Sequence, residues 1–136
     1  MKNQKEVLEW LEYAESDMEL AKKGKVSRKI KFETLCFHAQ QAAEKTIKAV
    51  LIFNHIDFPK THEIEVLLKI LTKNDVNIPK PVAESKYLTK YAVTKRYPGE
   101  EMEVNKKEYN EAVKVASLVL KWAKLITQQK PKDKLF

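Results

Sequence analysis

Apolar residues recur at helical spacing along nearly the whole chain. Val7, Leu11, Ala14, Met18 and Ala21 follow one another at steps of four and three, which places them on one stripe of a helix from about Lys5 to Lys23. Leu8 and Trp10 widen that stripe, Glu19 and Lys23 stand in the favourable i, i+4 order, and Gly24 supplies a stop. A second pattern runs from Phe32 through Leu35, Cys36, Ala39, Ala42, Ala43, Ile47 and Val50 to Phe53. Its apolar positions spread around most of the circumference toward the C-terminal end, so this helix is expected at the centre, with its alanines allowing close approach of neighbours.

Asp57 and Pro59 mark the loop from His55 to Thr61, with Thr61 as the expected N-cap and Glu63 in the first turn of the next helix. Ile64, Leu67, Leu68 and Leu71 give that helix an i, i+3, i+4, i+7 stripe, and the segment Asn74 to Pro81 ends it. Pro81 fits the first turn of a fourth helix, expected from Val82 to about Lys95 with Tyr87, Leu88, Tyr91 and Ala92 on one side. Pro98-Gly99 reads as a turn, Glu100, Glu101 and Glu103 as an acidic loop, and Asn105 with Glu108 as a capping box opening a last helix to Ile126. No strand-like alternation and no linker interrupts the series. The expectation is one all-α domain over 1–136, an antiparallel up-and-down bundle of about five helices with its core at about 5–127 and a basic tail at 128–136.

Composition narrows the chemistry. Two glycines, Gly24 and Gly99, cannot write a glycine-rich phosphate loop or a dinucleotide fingerprint, and one cysteine cannot form an internal disulfide or a four-cysteine zinc site. No apolar run reaches the roughly 20 residues of a membrane span, and the polar start lacks a signal-peptide core, so the expected setting is cytoplasmic. The formal charge of +7 favours anionic partners without choosing among them.

Charge collects at particular places. Six of the ten positions from Lys22 to Lys31 are basic, which suits either a solvated loop or a polyanion contact. On the second helix His38, Gln41, Lys45 and Lys48 form one polar line, open to two readings: a core-edge histidine with two lysines reaching solvent, or a binding surface. His55 and His62 bracket a loop but lack the i, i+4 spacing of a helical zinc motif, so no metal is expected. Cys36, between Leu35 and Phe37, reads as a buried structural thiol. Lys95 and Arg96 near a helix end complement its dipole, and Arg96 beside Tyr97 and a rigid Pro98-Gly99 turn would also hold a bidentate donor for a phosphate or carboxylate.

Four motifs in order, Glu12-Tyr13-Ala14-Glu15-Ser16-Asp17, Phe37-His38-Ala39-Gln40-Gln41-Ala42-Ala43-Glu44-Lys45, Thr61-His62-Glu63-Ile64 and Lys95-Arg96-Tyr97-Pro98, resemble the HEPN family, named for nucleotide binding in higher eukaryotes and prokaryotes. The resemblance runs from about Val7 to Ile126. It implies a helical bundle that commonly forms homodimers, and a role beside a nucleotidyltransferase, in some members as a toxin–antitoxin pair. Other members are metal-independent ribonucleases marked by an arginine, four to six residues, and a histidine. The chain departs from that signature: the fifth to seventh residues after Arg96 are Glu101, Met102 and Glu103, no histidine follows His62, and His38 lies ten residues beyond Arg28. The resemblance therefore implies binding of a nucleotide or RNA phosphate through Arg96, Tyr97, Lys45, Lys48, His62 and His38, with no catalytic residue and no cofactor. A ribonuclease toxin using His38 or His62 and a protein-interaction module docking an acidic protein are the alternatives.

Overall fold

The computed structural model describes residues 2–93 and 97–128. Helix α1 spans Lys2–Lys23, α2 Phe32–Phe53, α3 Ile64–Lys73, α4 Lys80–Ala83 and α5 Lys106–Thr127; 3-10 segments occupy Gly24–Val26 and Glu84–Ala92. Among the described residues there is no strand. Helix α2 lies at the centre, packed against every other long element, and most of its residues from Leu35 to Leu51 are buried. It runs antiparallel to α1, since Asp17 meets His38 while Trp10, further back on α1, lies beneath Lys48. Val7, Leu11, Ala14, Met18 and Ala21 all face the core, as their spacing predicts.

The helix ends use local chemistry. Asn105 accepts the amide of Glu108 at 2.7 Å, and the Glu108 side chain accepts the amide of Asn105 at 3.0 Å, the expected capping box. Pro81 lies in the first turn of α4. Helices α2 and α3 share one ending: Asn54 and Asn74 bond back to the carbonyls of Val50 and Ile70, and His55 and Asp75 follow with φ of 57° and 65°. The amides of Ile56 and Val76 then reach the carbonyls of Leu51 and Leu71, closing a left-handed cap on each.

Two expectations are corrected. The fourth helix is one α turn followed by a 3-10 helix, because the buried residues Val82, Ser85, Leu88 and Tyr91 recur at strict steps of three, the period that aligns in a 3-10 helix; Tyr87 is solvent-facing. The expected continuation to Lys95 lies outside the described residues. Thr61 does not cap α3: its hydroxyl accepts the amide of Glu63, which is itself the N-cap residue, while the amide of Ile64 is taken by Thr89 from the 3-10 helix. Gly24 follows the last residue of α1, as the expected stop, and opens the 3-10 segment without a left-handed φ. It allows close approach, since a Cβ there would sit 2.4 Å from Leu35.

Candidate functional site

The polar line on α2 faces α1 and is knitted into a network of two carboxylates. Asp17, at the edge of the buried stripe of α1, accepts from Lys45 at 2.6 Å and contacts His38 Nδ1 at 3.0 Å. Glu44 is 3% exposed and takes Lys48 at 2.7 Å, Gln40 at 2.9 Å and His62 Nδ1 at 3.0 Å. Gln41 donates to Gln40 at 2.8 Å and so extends the group around Glu44. Burial alone would raise the Glu44 carboxyl, but hydrogen bonds from Lys48, Gln40 and His62 outweigh it and hold the group below the ordinary glutamate value.

A carboxylate only accepts, so Nδ1 of each imidazole carries the proton toward Asp17 or Glu44. In the neutral ring Nε2 is then the acceptor, and it has no hydrogen-bond partner among the described residues. The His62 side chain is 71% exposed, whereas His38 is half-buried. Aromatic surface borders the cluster: the Lys45 ammonium lies 5.8 Å from the centroid of exposed Tyr13, and Lys48 lies 5.7 Å from that of Trp10. Lys48 is largely buried on Glu44, so of the two lysines it is Lys45 that keeps solvent access. Two carboxylates balance two ammonium groups, and two ring nitrogens remain to accept from a ligand's hydroxyl or amino group.

The structure therefore gathers His38 and Lys45 on Asp17 at the α1–α2 face, and Lys48 and His62 on Glu44 of α2. Tyr97 is solvent-facing on the turn before α5, its amide donating to Glu100 at 3.3 Å, and no contact among the described residues joins it to that face. Arg96 lies outside the described residues. Asp17, Glu44, Gln40, Trp10 and Tyr13 belong to the network but were not among the expected site residues. The signal for Asp17 was an acid flanking the apolar stripe of α1, a property it shares with Glu15, and for Glu44 an acid in the most buried stretch of α2.

Other charged places differ in kind. The basic connection faces an open groove of about 630 Å³ whose far wall carries Glu101 and Glu103, over a floor of Phe32 and Met102. Amides of Glu101 itself and Gly99 hold the Glu101 carboxyl low, with Lys31 adding to the effect, so part of the basic run is answered within the fold. Cys36 is buried and hydrogen-bonded to Tyr91, its thiol pushed up to about 11 by burial, which leaves it a structural group at neutral pH. His55 serves the cap of α2, apart from His62. Among the described residues no helix is long and apolar enough to cross a membrane.

The HEPN domain family matches residues 7–126. The crystal structure of an archaeal HEPN homologue superposes with a TM-score of 0.71 at 29% identity, covering 89% of this chain and 97% of that one. No curated protein matches the sequence.

Proposed function

The chain belongs to the HEPN family, and from that premise we propose that it is a nucleotide- or phosphate-binding helical homodimer acting as the partner of a nucleotidyltransferase, in the manner of a toxin–antitoxin pair. The observation that carries this reading is the exposed imidazole of His62, oriented by a buried glutamate beside Lys48, with His38 and Lys45 oriented by Asp17 on the same pair of helices. The Lys45 ammonium suits phosphate oxygens, an accepting imidazole Nε2 suits a ribose hydroxyl or a base amino group, and Tyr13 offers a face on which a base can stack. Arg96 and Tyr97 would add a second phosphate contact.

Titration calorimetry with ATP and GTP tests it. A dissociation constant in the micromolar range is expected, about tenfold weaker in His62→Ala and in Lys45→Ala. No heat with either nucleotide at millimolar concentration, together with no retention of a nucleotidyltransferase in a pull-down, would overturn the reading.

A ribonuclease reading has one observation in its favour: both imidazoles are held by a carboxylate through Nδ1, the arrangement that prepares Nε2 for proton transfer. Transfer RNA and messenger RNA left intact by excess protein in EDTA would remove it.

A further inference from the structure

Resting on the homodimer in that reading, we infer that the second copy docks on the face formed by α1 and α5. These helices are antiparallel neighbours that touch over part of their length: Tyr109 near the start of α5 reaches Ala21 near the end of α1, and Lys124 pairs with Glu15. Their flanks carry opposite charge. On α1, Leu8, Glu12, Glu15 and Glu19 follow at helical spacing on the side that borders α5, and Leu8 is 50% exposed. On α5, Lys114 and Lys121 are exposed without an ion-pair partner among the described residues, and Leu125 beside them is 66% exposed. An open groove of about 330 Å³, floored by Met18 and Leu120, separates the two helices.

Two copies can stack such faces in two ways. Laying α1 on α1 sets glutamates against glutamates and lysines against lysines. Turning the second copy about a two-fold axis parallel to the helices lays its α1 on α5 instead, antiparallel, so that the acidic stripe meets the lysines twice and Leu8 and Leu125 are covered. The contact is isologous and closes at two subunits. Glu19 already pairs with Lys23 on the surface, an exposed pair that costs little to rearrange. Each helix has 22 residues, or about 33 Å of length at 1.5 Å per residue. At about 10 Å between axes, the pair offers at most about 600 Å² per subunit, at the small end against the roughly 800 Å² of a standard interface.

Charge reversal on this face tests it, read by sedimentation velocity at micromolar protein, with circular dichroism as the check of fold. E12K/E19K makes the face predominantly basic, leaving Glu15 on its Lys124 partner, and K114E/K121E makes it predominantly acidic. The wild type is expected to dimerise with an affinity that falls as salt rises. Each double variant is expected to lose about tenfold or more alone and to form a heterodimer when the two are mixed. The single reversals E12K and K121E should follow the same pattern with smaller effect. K69E/K73E, with the same change of charge on α3, should dimerise like the wild type. A wild type that stays monomeric at about 100 µM overturns both the homodimer and this face. A dimer unmoved by the reversals, or variants that fail to pair when mixed, overturns the face and leaves the homodimer standing.

Discussion

Glu44 and His62, 18 residues apart in sequence, meet at 3.0 Å between Oε1 and Nδ1 and join a buried helix to an exposed loop. The other oxygen of Glu44 holds Lys48, itself only 8% exposed. Removing one member of such a pair leaves the other buried and unanswered. Glu44→Ala is therefore expected to cost about 3 kcal/mol or more of unfolding free energy, and the double variant E44L/K48M distinctly less than the single one, measured by urea denaturation.

The same carboxyl sets an acid limit. Its folded value lies below the ordinary 4.5, so its contribution to stability is complete above that pH and is lost as pH falls toward the folded value. Glu44→Gln lacks this dependence. The gap in melting temperature between wild type and E44Q should be widest at neutral pH and narrow steadily below about pH 4.5.

Asp17 answers both His38 and Lys45 and so cancels positive charge where the proposed site needs it. Asp17→Asn removes the negative charge and leaves a side chain of the same shape. Nucleotide binding by this variant is expected to tighten by about threefold to tenfold at low salt, with the gain fading as salt rises. Weaker binding in calorimetry would mean that Asp17 matters for orienting the two cations more than for balancing them.

The helices were legible because their apolar residues repeat at three and four, and the capping box at Asn105 because it is written within four residues. The 3-10 stretch was not, since Leu88 and Tyr91 also fit an α-helix and only burial of Ser85 reveals the period of three. In the site, His38, Lys45 and Lys48 were visible as one line on one helix. Of their carboxylate partners, Glu44 stands four residues before Lys48 and is within reach of spacing, whereas Asp17 comes from another helix and the bond between Glu44 and His62 depends on how the loop after α2 returns. Spacing finds neighbours along an element, whereas contacts across elements depend on packing.

Tyr109 ties the start of α5 to the end of α1. Its hydroxyl donates to the carbonyl of Ala21 at 2.6 Å, and its ring stacks on Phe32 at 5.0 Å. The accepting carbonyl belongs to the last turn of α1, where no following helical amide can satisfy it. Tyr109→Phe keeps the ring contact and removes only the hydroxyl, so a loss of about 1–2 kcal/mol by chemical denaturation is expected.

Cys36 and Tyr91 set an alkaline limit by the opposite sign. Burial raises the thiol from 9.0 to about 11 and the phenol from 10.0 to about 12, so the fold favours the protonated form of each. Their contribution is complete below the unfolded values and is lost as pH rises toward the folded ones, first for the thiol between about 9 and 11. Wild type should therefore lose on the order of 1–2 kcal/mol relative to Cys36→Ala on going from pH 8 to pH 11. The same burial makes the thiol slow toward iodoacetamide in the folded protein at pH 8, with alkylation proceeding at the rate of opening. Fast alkylation without loss of helical circular dichroism would show that Cys36 is reached from the folded state, and that the contact with Tyr91 does not seal it.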